Sequence, residues 1–297
     1  MNIGIVGLGL IGGSLGRALV KKTEHKIYAS DTDAETMVKG KLLGAYHEVL
    51  DKTNAKELDL LLIALYPNAV IECMEEYTPL LKSGSVVVDC AGTKREIVGA
   101  MRKLKERFPQ VNFVGAHPMA GKEFSGIKHS SAGLFEGASV LIVPVLTSIA
   151  VLAKVKEFFL QTGAEHVIVT NAEAHDKMIS YTSQLAHIVS SAYVNNESAL
   201  SHYGFTAGSF RDMTRVAKLN PQMWTELMIE NSDNLTGDLD LLIQNLKDFR
   251  SAVATKNTNA LNELLGKGNR IKVDIESDKG KKLEIRTKQG EGHDENC

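Results

Sequence analysis

Met1-Asn2-Ile3-Gly4-Ile5-Val6-Gly7-Leu8-Gly9-Leu10-Ile11-Gly12-Gly13 opens the chain. Met1 to Val6 is an apolar run of strand length that breaks at a glycine, and Ser14 to Val20 reads as a helix. The glycines at 7, 9 and 12 have separate tasks. Gly7 makes a tight turn, Gly9 lets a pyrophosphate approach the backbone, and Gly12 lets the helix pack on the strand. The phosphates then lie at the positive end of that helix. A second strand, Lys26 to Ser30, ends in Asp31, nineteen residues beyond Gly12. An acid there accepts both ribose hydroxyls and repels a 2′-phosphate, and the Thr32 and Asp33 that follow supply no cation. The stretch predicts a dinucleotide site that takes NAD rather than NADP. It is built from Gly7, Leu8, Gly9, Leu10, Ile11, Gly12 and Asp31, with Ala64 and Leu65 at the end of a neighbouring strand.

Strand and helix signals alternate through the rest of the first half. Asp59 to Leu65 is a continuous apolar strand, as a parallel strand buried on both faces requires. Asn68 to Tyr77 and Arg95 to Phe108 read as helices. Ser85 to Asp89, Val111 to Ala116, Ala138 to Val143 and His166 to Val169 read as strands, with a helix from Ser148 to Thr162. In open α/β sheets the ligand lies beyond the carboxyl ends of the strands. Gly7, Asp31, Ala64, Thr93 and His117 all stand at such ends. His117 precedes Pro118, which disfavours helix at the histidine, and the loop that follows carries Lys122 and Glu123.

Past Asn171 the strand signal stops. Asn171 can cap a long helix from Ala172 to about His202. Arg211 and Arg215 are four apart and can share a helical face. Asn220-Pro221 starts a helix that carries Trp224. From Leu235 to Ala254, the residues Leu239, Leu242, Ile243, Leu246, Phe249 and Val253 mark a helix buried along one stripe. The expected architecture is α/β: a Rossmann-like dinucleotide-binding domain over residues 1–170, then an all-helical substrate and dimerisation domain over 171–270. Residues 271–297 form a tail, in which Ile271 to Ile275 and Leu283 to Thr287 alternate as in a short hairpin around Ser277 to Gly280. Disorder is expected from Lys288 onward.

With 24% charged residues, 43% apolar ones and a net charge of -2, the 297-residue chain has no basic field for nucleic acid. Its apolar runs are too short to cross a bilayer, and its first residues enter a strand directly, so neither a membrane partner nor a secretory signal is expected. Cys73, Cys90 and Cys297 have unrelated spacings, which suits reduced thiols and a cytoplasmic protein. No Cys/His cluster has metal-ligand spacing, and no metal is expected.

Several blocks together carry a resemblance. They are His117-Pro118-Met119-Ala120-Gly121 with Glu123 and Ser125-Gly126, the turn from Asp89 to Lys94, Ser183 to His187, Phe210-Arg211-Asp212 to Arg215, and Pro221 to Trp224. From the glycine motif to about residue 265 the chain resembles the prephenate dehydrogenase (TyrA) family of tyrosine biosynthesis. The resemblance implies NAD-dependent oxidation of prephenate with loss of its ring carboxylate as CO2, giving 4-hydroxyphenylpyruvate, by a homodimeric enzyme. His117 would be the base for the ring hydroxyl, and Thr93, at the family's serine position, would bond that hydroxyl or orient His117. Arg215 would anchor a substrate carboxylate, His187 would bond the substrate side chain, Glu123 would close the pocket by an ion pair, and Arg211 would serve gating or partner contacts. For His175 and Asp176 a structural role is expected, and Trp224 is either core or site wall. Family members that use arogenate tend to have an acid in the segment of Ser183 to His187, so the neutral Gln184 points to prephenate. An arogenate or dual-substrate cyclohexadienyl dehydrogenase is the alternative. A 3-hydroxy acid dehydrogenase or imine reductase of similar plan, and a non-enzymatic NAD-binding sensor, are more distant. The other dehydrogenases need neither the His117 block nor the paired Arg211 and Arg215, and the sensor has no reason to keep a base, a hydroxyl partner and a carboxylate anchor together.

Overall fold

The computed structural model describes residues 1–290. It divides into one compact unit from Met1 to Thr236 and a second that begins at Gly237. In the first unit, β1 (Asn2–Val6), α1 (Leu10–Lys22), β2 (Lys26–Ser30), α2 (Ala34–Leu42) and the short β3 (Glu48–Val49) form the opening half of the sheet. After them come β4 (Leu60–Ile63), α3 (Pro67–Tyr77), β5 (Val86–Asp89), α4 (Arg95–Arg107) and β6 (Asn112–Pro118). β7 (Ser139–Val145), α5 (Ile149–Thr162) and β8 (His166–Val169) complete it. The strands lie in the order β3-β2-β1-β4-β5-β6-β7-β8. All pairs are parallel except β6 with β7, where His117 faces Leu141 across an antiparallel ladder. The order reverses between β1 and β4, which opens a crevice at the carboxyl ends of the strands.

Alternation along β4 shows how the sheet is buried. Leu60 and Leu62 enter one apolar core with Ile5, Leu15 and Phe158, while Leu61 and Ile63 enter a second core with Met74, Val87 and Phe113. A strand with apolar residues on both faces is stable only between two helical layers. Each buried leucine contributes about 1.5–3 kcal/mol.

Helix starts locate the functional end. Asp33, Ser148, Asn171 and Asn220 cap α2, α5, α6 (Ala172–Ile179) and α9 (Pro221–Glu230) with their own side chains. By contrast α1, α3 and α4, which leave the carboxyl ends of β1, β4 and β5, have no side-chain cap of their own. Their first amides therefore need partners from elsewhere.

The segment after Asn171 is not one long helix. α6 ends at Ile179, a π-helical turn spans Ser180–Gln184, and α7 (Leu185–Val194) stops well before His202. A π turn inserts a residue into the helical ladder and turns the side chains that follow. α8 (Gly208–Thr214) ends before Arg215, which begins a 3₁₀ turn, so Arg211 and Arg215 are not on one continuous helix.

α10 (Ser232–Ala254) and α11 (Thr258–Gly290) carry the chain into the second unit. The stripe on α10 is not buried in the single chain: Ile243, Leu246 and Val253 are exposed, at 45%, 58% and 61%. The hairpin in the tail is also replaced. Ile271 to Ile275 and Leu283 to Thr287 lie in α11, because an isolated two-stranded ribbon is marginal in water whereas a helix satisfies its own backbone. Lys288 to Gly290 continue that helix, and the remainder of the expected disordered tail lies outside the described residues. None of the described helices is long and apolar enough to cross a membrane.

Candidate active site

Gly7 has a positive φ of 89°, and a Cβ there would lie 2.6 Å from the Ala64 carbonyl oxygen and 2.7 Å from the Leu65 side chain. At Gly12 a Cβ would lie 1.9 Å from the Gly7 carbonyl oxygen. Both positions admit only glycine without a shift. Gly9 differs, because a Cβ there meets nothing within 4 Å. The space above the start of α1 is thus open, and the helix presents uncapped amides to it, as a pyrophosphate requires. Leu8 is fully buried; its backbone N–H donates to Asp31 Oδ2 at 2.7 Å, while Asp31 Oδ1 accepts from the Asp33 N–H at 3.0 Å. Leu10 and Ile11 form the first turn of α1. A groove of about 550 Å³ runs beyond Asp31, lined by Met37, Val38, Leu42 and Tyr46. These residues fit a dinucleotide: uncapped amides for phosphate, a carboxylate for ribose and an apolar groove beside it.

The next strand ends assemble a polar centre. Asp89 closes β5, and its carboxylate is wholly buried with the Lys94 ammonium, which donates to it and, at 3.0 Å, to the Thr93 carbonyl. Burial pushes the Asp89 carboxyl upward, against the pull of Lys94. His117 closes β6. Its Nδ1 lies 3.0 Å from His175 Nε2, and His175 Nδ1 lies 2.7 Å from Asp176 Oδ1. Asp176, on α6, also provides the missing cap of α4: its oxygens accept from the Lys94 N–H at 2.8 Å and the Arg95 N–H at 2.9 Å. Burial raises the Asp176 carboxyl, but His175 and these amides outweigh it and hold the group below its ordinary range. A small part of His117 remains open, yet burial, reinforced by His175 and the Lys94 charge, holds its pKa well below 6.5. It is a neutral imidazole at pH 7.

Further side chains arrive from the helices. Thr93 and His117 share no hydrogen bond among the described residues. The Thr93 hydroxyl donates to Glu230 on α9, whose carboxyl is pushed upward by burial. Glu226, one turn earlier, accepts from the Asn68 N–H at 2.7 Å and so supplies the missing cap of α3. Arg215 meets Glu123, in the loop after β6, at 3.0 Å, and both side chains reach solvent. His187 donates from Nδ1 to the Val216 carbonyl at 2.9 Å and packs on Trp224 with ring centroids 3.8 Å apart. Burial lowers its pKa, and Arg215 adds to this. Arg211 is exposed on α8.

Gln184 is displaced from the role its neutrality suggested. It is 1% exposed, its Nε2 donates to the Leu227 carbonyl at 2.7 Å, and its Oε1 accepts from Asn231 at 2.8 Å. Both ends of its amide are thus engaged by α9 and the Asn231 that follows it. Glu230, Asn231 and Asp233 were missed by sequence reading. Arg95 forks onto Asp233 at 2.5 and 2.7 Å and reaches Asn231 at 3.0 Å, a pairing for which local sequence carries no signal.

Residues 15–169 match the nucleotide-binding domain of prephenate dehydrogenase, and residues 171–267 match its dimerization domain. Among characterised relatives, a prephenate dehydrogenase of Bacillus subtilis is 31% identical over 267 residues, covering 84% of this chain and 69% of that protein. A cyclohexadienyl dehydrogenase of Zymomonas mobilis is 28% identical over 288 residues, covering 93% and 97%. The Aquifex aeolicus prephenate dehydrogenase, solved in complex with hydroxyphenyl propionate and NAD+, superposes with a TM-score of 0.80 at 26% identity over 93% of this chain and 98% of that one. An arogenate dehydrogenase of Synechocystis shares the fold at a TM-score of 0.76 and 24% identity, covering 93% of this chain and all of that one. The chain belongs to the prephenate dehydrogenase family.

Proposed function

We propose that this protein is an NAD-dependent prephenate dehydrogenase that converts prephenate to 4-hydroxyphenylpyruvate and CO2. The observation that carries the reading is His117, a neutral imidazole at the carboxyl end of β6 with no hydrogen bond to Nε2 among the described residues. The uncapped α1, the open space at Gly9 and the Asp31 carboxylate would hold NAD, which supplies the two-electron acceptor when bound. His117 Nε2 then draws the proton from the ring hydroxyl as that carbon is oxidised. A positioned base of this kind contributes about 10²–10⁴-fold. Arg215, half free on the surface, can leave Glu123 and present its planar fork to a substrate carboxylate. Loss of CO2 follows from the aromaticity gained, so the protein has chiefly to orient the ring and exclude water.

A second reading, a dual-substrate cyclohexadienyl dehydrogenase, is favoured by His187. Its Nδ1–H is committed to Val216, and its lowered pKa leaves Nε2 a lone-pair acceptor. An acceptor suits the ammonium of arogenate, whereas the keto oxygen of prephenate needs a donor. With Gln184 turned into the core, substrate preference rests on this histidine and on the activities of the relatives. A homodimer fits the match to a dimerization domain and the exposed Met178, Tyr181, Leu200, Tyr203 and Phe205, and the free thiols of Cys73 and Cys90 fit the cytoplasm.

The test is the initial rate of NADH formation with prephenate and arogenate, each against NAD and NADP. Turnover of prephenate with NAD that falls at least about a hundredfold in His117→Asn supports the reading. Turnover of arogenate alone would replace the substrate, and no turnover with any of the four pairs would overturn the proposal.

A further inference from the structure

His117, His175 and Asp176 form one continuous hydrogen-bonded line, and its tautomers follow from its ends. Asp176 is 1% exposed and already accepts two backbone amides, so it is a carboxylate with no proton to give. The His175 Nδ1 at 2.7 Å must therefore carry the hydrogen. Where the buried His175 ring carries that one hydrogen, its Nε2 can only accept. The His117 Nδ1 at 3.0 Å must be the donor, and this leaves Nε2 of His117 as the unprotonated nitrogen.

We propose that His175 and Asp176 are positioning residues for the base: the Asp176 carboxylate sets the tautomer of His175, and His175 in turn holds His117 with Nε2 bare and turned toward the reacting hydroxyl. This rests on the reading of His117 as the base. When Nε2 takes the substrate proton, the new imidazolium keeps its Nδ1–H on His175, and the nearby carboxylate stabilises the charge through one intervening ring. No proton needs to pass to Asp176, so the line orients rather than relays. Other charges face it from every side. Lys94 and its partner Asp89 lie on the sheet side, and Arg95 holds Asp176 Oδ2 from α4 through Nε at 3.3 Å while forking onto Asp233. Arg95 thereby ties the Asp176 carboxylate to α4.

A merely structural Asp176 would cap α4 and do nothing to the imidazoles. The two roles separate in Asp176→Asn. With its oxygen in the place of Oδ2 an asparagine still accepts from the Arg95 N–H, but it presents an N–H to His175 Nδ1 and gives up the Lys94 N–H, so the His117 tautomer and not stability tells the two roles apart. The new N–H reverses His175, which then donates from Nε2, and His117 is left protonated on Nε2 and unable to act as a base. An inverted tautomer of this type costs up to about 10⁴-fold in turnover in a hydrolytic triad.

The experiment is ¹⁵N NMR of histidine-labelled enzyme beside steady-state kinetics with prephenate and NAD. Wild-type protein should show His117 protonated on Nδ1 and bare on Nε2. In Asp176→Asn the pattern should invert, with kcat down at least about a hundredfold while KM and NADH affinity stay within about threefold. His175→Gln, which keeps a hydrogen-bonding side chain without the ring, should give a mixture of His117 tautomers and an intermediate kcat. A wild-type His117 that carries its proton on Nε2 would overturn the proposal without any variant. So would a folded Asp176→Asn or His175→Gln enzyme with wild-type kcat. If the wild-type tautomers are as expected but neither prephenate nor arogenate is turned over, the hydrogen-bonded line stands and the assigned reaction falls.

Discussion

Replacing Lys94 by methionine should be among the most damaging single changes to this fold. Lys94 and Asp89 are both 0% exposed and paired to each other. The carboxylate also accepts from the Ala91 and Ala116 amides, at 3.0 and 3.3 Å, but neither brings a full charge. The lysine stem packs against Gly115, where a Cβ would come within 3.1 Å of Lys94 Cδ, so a methionine fills the stem's volume without replacing its charge. Breaking a buried pair in this way costs about 3–5 kcal/mol, because the remaining carboxylate is left uncompensated. At about 2 °C per kcal/mol for a chain of this size, the loss is a fall in Tm of about 6–10 °C, read by circular dichroism. Removing the second charge should recover part of it, so Asp89→Asn/Lys94→Met should melt above Lys94→Met alone. The same change reaches the base. Lys94 is one of three influences that depress His117, after burial and His175, so its loss should move the acid limb of kcat/KM upward, toward 6.5. A Lys94→Met Tm within about 2 °C of wild type would refute the reasoning, since it would put the pair's net worth near that of a surface ion pair. A double variant no more stable than the single one would refute it equally, because the damage would then lie in packing and not in charge.

Two further expectations concern the same end of the sheet. The depressed His117 keeps the base unprotonated through pH 6.5, so kcat/KM should stay flat as pH falls past that value. Because the unfolded chain takes up the proton and the native site resists it, His117's contribution to stability is complete above 6.5 and is lost as pH falls toward its native value, which pH-dependent melting would detect. Gly9→Ala should leave Tm unchanged yet weaken NADH binding in a fluorescence titration, since its Cβ enters only the open space above α1. Gly12→Ala should cost about 1–3 kcal/mol of stability as well, because its Cβ collides with the Gly7 backbone.

What was legible in the sequence is what local chemistry dictates. The turn at Gly7, the acid after β2 and the histidine before Pro118 are set by residues within a few positions of one another, and each lies where the pattern put it. Side-chain partnership across elements leaves no such trace. The hydroxyl of Thr93 donates to Glu230, more than a hundred residues away, and nothing near Thr93 in the sequence signals that partner. Gln184 sits in the expected segment, yet the π turn of Ser180–Gln184 rotates it into the core, and no periodicity announces that extra residue. The tail shows the opposite failure. A five-residue alternation such as Ile271 to Ile275 fits a strand only if a partner strand receives it, and here the segment continues α11 instead.

The histidines make the limit sharper, because their chemistry depends on which nitrogen carries the hydrogen. His117 and His187 are both neutral, partly buried imidazoles, and both bond through Nδ1. The partner of His117 is a second imidazole fixed by a carboxylate, so its bare Nε2 suits it to remove a proton. His187 donates to a backbone carbonyl, so its Nε2 is also bare, but a carbonyl carries no full charge to stabilise a positive ring. The first arrangement favours uptake of a proton during turnover, and the second favours recognition of a donor on the substrate. Both assignments depend on Asp176 and Val216, residues 59 and 29 positions away from the histidines they instruct. A motif can therefore name the two rings, while the packing of α6 against α4 and of α7 against the turn after α8 divides the work between them.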